Sequence, residues 1–283
     1  MILDPGDVHV WKIALDRPDG VTGSLRGLLS PDELARADRF RVERGRERYI
    51  VGRGVLRTLL SRYTGVPAQT LEFAYNEFGK PELAGSDVCF NLSHSHGIAL
   101  AAVTRGRAIG VDIERIREEV MRERIAERFF SPAEARALAA LPPGQQAQAF
   151  FNCWTRKEAW IKARGQGLSI ALDSFEVTLA PGEPARLVAT RPDADEAGRW
   201  SLRALECEPG FAAALAVAGQ FGDVHLGQFG DVHLCPQLSQ SPGTLQPDAS
   251  LKLNQAAKAI EIEDIGARVT ELEAAAESAA QRR

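Results

Sequence analysis

The chain carries the same helix-start pattern twice. Ser30-Pro31-Asp32-Glu33 and Ser131-Pro132-Ala133-Glu134 each place a capping serine, a first-turn proline and a glutamate three positions after the serine, an arrangement that favours the start of a helix. The two patterns lie 101 positions apart, and a long predicted helix follows each, at about 46–63 and about 145–164. A chain that repeats its plan in this way is predicted to fold as two similar α+β halves.

Strand-like segments accompany both long helices. Residues 8–13 alternate apolar and polar side chains, as a half-buried strand does. The further predicted strands are 71–75, 88–92, 98–103, 109–114, 175–179, 200–205 and 211–218. We therefore place an N-terminal α+β half at 1–108 and a C-terminal α+β half at 109–218.

The chain changes character from Gly219 onward. The octapeptide GQFGDVHL at 219–226 is repeated without change at 227–234, which indicates a tandem duplication. Residues 235–250 are rich in Ser, Pro and Gln and read as a linker, and apolar residues at heptad-like spacing from 262 to 276 predict a short helix. We predict that 219–283 is an extension outside the catalytic core.

Charge and cysteine content exclude several classes of protein. Lys and Arg number 34 against 38 Asp and Glu, for a net charge of −4, which argues against a general nucleic-acid or anionic-membrane binder. No apolar run approaches the roughly 18 residues of a membrane span, and the N-terminus lacks a signal-peptide pattern. The four cysteines form no C-x-x-C pair. We expect a reduced, cytoplasmic protein.

The segment Gly110-Val111-Asp112-Ile113-Glu114 is the first candidate for chemistry. Because alternate residues of a strand share a face, Asp112 and Glu114 are expected to project together while Val111 and Ile113 face the core. Two adjacent carboxylates suit a hard cation such as Mg²⁺. The alternative is a solvated strand end with two surface acids.

The segment from Trp154 to Lys162 is the second candidate. On a helix Trp154, Glu158 and Lys162 lie on one side, at i, i+4 and i+8. Glu158 is then placed to complete a metal site, with Lys157 and Lys162 beside it. The alternative is an ordinary glutamate–lysine pair on the surface of a helix.

Phe90-Asn91-Leu92-Ser93-His94-Ser95, at a predicted strand-to-loop transition, is the third candidate. Ser93 and His94 offer hydrogen-bond donors to an anion. A Ser–His nucleophile pair is the competing interpretation, but adjacent residues on an extended chain point apart and no G-x-S-x-G motif is present.

A run of arginines before and along the first long predicted helix is the fourth candidate. Guanidinium groups suit phosphate, and two or three of them could bind a compact phosphate group. Nucleic-acid binding is the alternative, although acids interrupt the run. The run comprises Arg36, Arg39, Arg41, Arg44, Arg46, Arg48, Arg53, Arg57 and Arg62.

Taken together, these motifs resemble those of the Sfp-type 4′-phosphopantetheinyl transferases. The family pattern is a G-[IV]-D-[IV]-E strand followed by W-x-x-K-E-A-x-x-K, and here Asp112 and Glu158 lie 46 positions apart. The segment 90–95 is similar to the family's F-N-[IL]-S-H-S, and Gly79-Lys80-Pro81 to its G-K-P. The resemblance covers about residues 25–218. It implies two similar α+β halves with the active site between them.

The resemblance also implies an activity. Family members of the holo-[acyl-carrier-protein] synthase type move the 4′-phosphopantetheine arm of coenzyme A onto a serine of an acyl or peptidyl carrier protein and release 3′,5′-ADP. It implies that Asp112, Glu114 and Glu158 hold Mg²⁺ on the coenzyme A diphosphate. Glu158 is the expected base for the carrier serine.

The phosphate contacts that the resemblance implies involve mostly basic side chains. Lys162 and Lys157 are expected to pair with the diphosphate. Ser93 and His94 are expected at the 3′-phosphate, with Lys80 nearby. The expected remainder of the phosphate cradle is Arg36, Arg48 and Arg53.

Two other functions compete with this assignment. One is a non-catalytic module that binds coenzyme A or a carrier protein. The other is an Mg²⁺-dependent nucleotide phosphohydrolase or transferase of another fold, which would need a phosphate loop of the G-x-x-x-x-G-K-[ST] type that this chain lacks. The carrier protein, the use of acyl-coenzyme A and the role of the extension stay open, and we expect a monomer.

Overall fold

The computed structural model describes residues 1–119 and 124–229. The elements of the N-terminal part are β1 (Val8–Ala14), α1 (Asp19–Arg26), α2 (Pro31–Ala37), α3 (Glu43–Thr64), β2 (Phe73–Tyr75), β3 (Pro81–Leu83), β4 (Val88–Ser95) and β5 (Ile98–Arg105). Those that follow are β6 (Ile109–Arg115), α4 (Ile125–Phe129), α5 (Pro132–Ala139), α6 (Pro143–Arg164), β7 (Phe175–Val177), β8 (Leu187–Thr190), β9 (Trp200–Ala204), β10 (Phe211–Ala218) and β11 (Val224–Gln228). The predicted α+β class is confirmed.

Two sheets pack face to face between two long helices. The first sheet has the strand order β11-β1-β5-β4 and the second has the order β6-β10-β9. Val10 and Leu100 of the first sheet meet Val111 and Leu215 of the second in a buried core between the sheets. Because side chains alternate along a strand, the opposite faces are free to pack on helices. Helix α3 covers the first sheet, and α6 covers the second.

The two halves repeat the predicted plan. Both serine capping boxes form, at Ser30 before α2 and at Ser131 before α5. The long helices α3 and α6 each have 22 residues. They end at Gly65 and Gly165, whose φ angles of 75° and 69° are in the left-handed region that favours glycine. The equivalent positions of the two helices are therefore 100 residues apart.

The capping-box glutamates also form buried ion pairs with the long helices. Glu33 forms ion pairs with Arg53 and Arg57 of α3, each with an N···O distance of 2.6 Å. Glu134 forms an ion pair of 2.8 Å with Lys157 of α6. Because a buried carboxylate needs a cationic partner, each pair fixes a short helix against the long helix of the same half.

The predicted extension differs from the structure over its first residues. Strand β11 includes the end of the first octapeptide copy and the start of the second, and it pairs with β1 in parallel. Phe229 is buried in the core under α3, and its N–H donates a hydrogen bond of 2.9 Å to Lys12 O. Residues 224–229 therefore belong to the first sheet and its core. The predicted linker and short helix, within 230–283, lie outside the described residues.

Candidate functional site

The face of β6 that points toward α6 carries the two predicted strand carboxylates. Val111 and Ile113 are fully buried in the core between the sheets. By alternation, Gly110, Asp112 and Glu114 lie on the opposite face, against α6. The predicted orientation of this segment is confirmed.

Gly110 allows α6 to lie directly on this face. A Cβ atom at Gly110 would lie 2.1 Å from Ala159 O and 2.4 Å from Ala163 N, both backbone atoms of α6. Only a residue without a side chain permits this approach. The contact brings Glu158 and Lys162, which precede these two alanines in α6, next to the carboxylates of β6.

Asp112 is the centre of a buried polar cluster. Its Oδ1 accepts hydrogen bonds from Lys162 Nζ at 2.6 Å and from Ser93 Oγ at 2.9 Å. Lys162 Nζ also donates to Ser93 Oγ at 2.8 Å. The other oxygen, Oδ2, is buried and accepts no hydrogen bond from the described residues. A buried anionic oxygen without a partner is costly and marks a position suited to a cation.

Strand β4 supplies polar side chains to β6 from the first half. The strand continues through Ser95, beyond the predicted transition to a loop, so Asn91, Ser93 and Ser95 share one face. Asn91 Oδ1 accepts from Val111 N at 2.8 Å, and Ser95 Oγ donates to Glu114 Oε2 at 2.9 Å. The carboxylates therefore lie where the two halves meet.

Burial, together with repulsion from a neighbouring carboxylate, raises the pKa values of both strand carboxyls. Burial raises the pKa of Asp112, Lys162 lowers it, and the charge of Glu158 raises it. Burial and then the charge of Asp112 raise the pKa of Glu114 to about 8. Glu158 is itself 5% exposed. Two buried carboxyls with raised pKa values and a third carboxylate beside them on α6 offer oxygen ligands of the kind that a divalent cation takes.

A basic neighbourhood lies on the α3 side of β4. Burial, Lys162 and Arg48, in that order, lower the pKa of His94 to about 4. Arg48 of α3 makes a bidentate contact with Asp16, with Nε–Oδ1 and Nη2–Oδ2 distances of 2.8 and 3.0 Å. His94 is therefore a neutral donor beside two cations, which fits a place for an anion.

The structure separates Lys157 from this cluster. Its side chain is fully buried, its Nζ pairs with Glu134, and it donates hydrogen bonds of 2.7 and 2.6 Å to the carbonyl oxygens of Leu172 and Phe175. The prediction that Lys157 pairs with the diphosphate does not fit this placement, because the ammonium group is enclosed and its partners are inside the C-terminal half.

Other predicted phosphate ligands are also engaged elsewhere. Arg53 is 3% exposed and is held by Glu33. The guanidinium of Arg36 lies 5.6 Å from the ring centroid of Tyr49. Arg53 therefore does not fit the predicted cradle, because it is enclosed and paired with Glu33. The place of Arg36 in the cradle stays a prediction.

Lys80 connects the two halves. Its Nζ donates hydrogen bonds of 3.0 Å to the carbonyl oxygens of Ile109 in β6 and Ala163 in α6. Burial lowers its pKa to about 8. The Ser93 hydroxyl contacts Asp112 and Lys162. The predicted places of Lys80 and Ser93 near a 3′-phosphate stay predictions.

Sequence reasoning assigned no role to Gly110, Asn91 or Ser95. The signal for the latter two was present, since Asn91, Ser93 and Ser95 alternate along one strand face. Gly110 stands in the G-V-D-I-E segment, but only the structure shows the helix backbone that requires a glycine there.

Comparison with known proteins places this cluster in a family. Residues 108–216 match the 4′-phosphopantetheinyl transferase superfamily, and residues 23–105 match the N-terminal part of 4′-phosphopantetheinyl transferases. The 4′-phosphopantetheinyl transferase HetI of Nostoc sp. is 43% identical over 217 residues, which cover 75% of this chain and 88% of the relative. The chain belongs to the 4′-phosphopantetheinyl transferase superfamily. The predicted family is confirmed, and the chain is a transferase of this class.

Other members of the superfamily align over the same region. The 4′-phosphopantetheinyl transferase Sfp of Bacillus subtilis is 30% identical over 214 residues, or 75% of this chain and 92% of the relative. A second 4′-phosphopantetheinyl transferase from Bacillus subtilis is 35% identical over 175 residues, or 61% of this chain and 77% of the relative. Among residues 1–119 and 124–229, no helix is long and apolar enough to cross a membrane.

Proposed function

We propose that this transferase moves the 4′-phosphopantetheine arm of coenzyme A to a serine hydroxyl of an acyl or peptidyl carrier protein and releases 3′,5′-ADP in an Mg²⁺-dependent reaction. The observation that carries the proposal is the buried cluster of Asp112, Glu114 and Glu158 beside Lys162, where Asp112 Oδ2 has no hydrogen-bond partner among the described residues. An unpartnered carboxylate oxygen and a lysine at the same place suit a cation together with an anionic substrate.

In this proposal Asp112, Glu114 and Glu158 hold Mg²⁺. The residues fit the ion, because all three offer oxygen ligands and the two carboxyls of β6 have raised pKa values that a bound cation would lower. When bound, Mg²⁺ neutralises charge on the diphosphate and on the departing phosphate.

Lys162 is proposed to bind the diphosphate. Its ammonium group has three N–H donors, of which Asp112 and Ser93 accept two. The side chain is 29% exposed, so a phosphate oxygen can reach the third donor. The Asp112 contact holds the lysine in place before the substrate arrives.

Glu158 is proposed to accept the proton of the carrier serine as that hydroxyl attacks the β-phosphorus. The new bond joins the serine oxygen to phosphorus, and the bond to the 3′,5′-ADP oxygen breaks. The place of Glu158 on α6, next to Asp112, supports its role as the base.

His94 and Arg48 are proposed to bind the 3′-phosphate. Both lie on the α3 side of β4, and the cations that depress the pKa of His94 would equally attract a phosphate. An incoming phosphate would compete with Asp16 for the guanidinium of Arg48.

The mass of a carrier protein incubated with this enzyme, coenzyme A and Mg²⁺ tests the proposal. A gain equal to one phosphopantetheine on the carrier, lost when its serine is replaced by alanine, is expected. Asp112→Ala should nearly abolish the gain. Binding of coenzyme A without any mass gain across a panel of acyl and peptidyl carriers would instead support a non-catalytic module.

A further inference from the structure

The tetrapeptide Gly-Asp-Val-His occurs at 6–9 and again at 222–225, and a third time at 230–233 in the second octapeptide copy. The structure places the first two beside each other, because β1 and β11 are parallel and in register, with Val8 opposite Val224 and His9 opposite His225. Parallel strands in register place like residues side by side, about 4.8 Å apart.

The valines of this pair determine which way the polar residues face. Val8 is fully buried between the sheets, and Val224 packs against the same core. Since side chains alternate along a strand, the aspartates and histidines that flank the valines lie on the opposite face, away from that core. Three of them converge there.

The three convergent side chains are Asp7, Asp223 and His225, which form the strand-edge cluster. One ligand atom from each lies within 4.8 Å of the other two. His225 Nε2 is 3.2 Å from Asp7 Oδ2, and Asp223 N donates a hydrogen bond of 3.0 Å to Asp7 Oδ1. The ring of His9 lies beside the cluster, with its centroid 5.1 Å from that of His225.

We propose that the strand-edge cluster binds a divalent transition-metal ion of the zinc type and thereby fixes β11 to β1. Two carboxylates and one imidazole are ligands that Zn²⁺ accepts, with a water completing the tetrahedron. An imidazole in the set favours such an ion over Mg²⁺, which prefers oxygen ligands alone. The cluster therefore differs in chemistry from the all-carboxylate catalytic cluster.

The geometry requires only small movements. Ligand atoms around one tetrahedral zinc lie roughly 3.3 Å apart, from metal–ligand bonds of about 2.0–2.2 Å, and the side chains already lie within 4.8 Å. His225 and Asp223 are exposed, so rotation of their side chains is not opposed by packing. The ion would join residues 216 positions apart and would stabilise the folded state that assembles them.

The test is a zinc titration of the full, untagged chain after removal of metal, by calorimetry, in the presence of excess Mg²⁺ that occupies carboxylate-only sites. One zinc per chain is expected. His225→Ala should weaken binding at least tenfold and abolish the zinc-dependent rise in melting temperature, while transferase activity is unchanged. Asp223→Asn, which keeps the backbone N–H bond to Asp7, is the second variant if His225→Ala does not fold.

His233→Ala is the matched control, since it removes the same histidine from the other octapeptide copy. It should bind zinc as the unsubstituted chain does. The proposal is overturned if His225→Ala and Asp223→Asn bind zinc normally, or if His233→Ala alone loses it. Loss of zinc binding in Asp112→Asn would also overturn it, because the ion would then occupy the catalytic carboxylates.

Discussion

Replacing Gly110 by alanine should separate the two elements that carry the site. The added methyl would meet Ala159 O at 2.1 Å and Ala163 N at 2.4 Å. Because non-bonded carbon and backbone atoms stay more than about 3 Å apart, α6 must withdraw from β6 by about 1 Å. Neither clashing atom belongs to a flexible side chain, so rotamer changes cannot relieve the contact.

This displacement should cost both activity and stability. Lys162 Nζ lies 2.6 Å from Asp112 Oδ1, and a shift of about 1 Å lengthens that contact beyond a good hydrogen bond and moves Glu158 with it. Misplacement on this scale lowers kcat by roughly 100-fold. Overpacking of a filled contact costs about 1–3 kcal/mol of unfolding free energy, which lowers Tm by about 2–4 °C per kcal/mol in a domain of this size.

Gly144→Ala is the control on the same helix. No atom lies within 4 Å of a Cβ built at Gly144, and alanine is the better helix former by about 1 kcal/mol. Carrier modification followed by mass, with saturating coenzyme A, gives kcat for both variants, and circular dichroism gives Tm. Gly110→Ala with the kcat of the unsubstituted enzyme would refute the reasoning, whatever its Tm.

Four further predictions follow from other parts of the fold. Without metal, the contribution of Glu114 to folding stability should fall as pH rises from about 4.5 to 8, because the folded state keeps a proton on Glu114, whose pKa is raised to about 8 from the ordinary 4.5; the stability difference between Glu114→Gln and the unsubstituted chain in thermal melts should therefore change over this range, and a constant difference would contradict it. Lys157→Met should lower the free energy of unfolding in urea by about 3–5 kcal/mol, because it leaves the buried Glu134 without its cationic partner, and it should leave the KM for coenzyme A unchanged. Weaker coenzyme A binding with unchanged stability would contradict this prediction. Lys162→Met should raise that KM and lower kcat, and steady-state rates equal to those of the unsubstituted enzyme would exclude a diphosphate role. A chain ending at residue 229 should melt like the full chain, whereas one ending at 218 should melt lower because it lacks β11 and Phe229; equal melting of the two would contradict this.

The sequence predicted the repeated frame because its signals are local. A capping box, helical spacing of apolar residues and a terminal glycine are each recognised from a few neighbouring residues. The observed helices α3 and α6 agree with the helices predicted from these signals. Strand β11 escaped prediction because it is short, carries Val224 and Leu226 as its apolar residues and depends on β1, more than 200 positions away. Strand propensity of this kind is decided by tertiary pairing.

In the site too, local pattern predicted some features, while others depend on contacts between residues that are distant in sequence. Alternation along β6 was enough to place Asp112 and Glu114 on one face, since the flanking valine and isoleucine had to be buried. Lys157 and Glu158 are adjacent on a helix and so diverge by about 100°, and local pattern does not say which of them meets a buried partner. Lys157 has a structural role because it pairs with the buried Glu134, which lies 23 positions upstream in the sequence.

The repeat also explains why, within residues 1–119 and 124–229, the acidic cluster forms in the second half and not in the first. Helices α3 and α6 are equivalent at an offset of 100 positions, and Arg57 and Lys157 fill the same structural role of pairing with a capping-box glutamate. The positions equivalent to Glu158 and Lys162 are Thr58 and Arg62. The threonine hydroxyl donates to a carbonyl of its own helix at 2.8 Å, and the guanidinium lies 5.7 Å from the ring centroid of Phe229. In the first half these positions therefore serve the helix and the β11 segment. Because neither of them is a carboxylate, the acidic cluster forms in the second half, between β6 and α6.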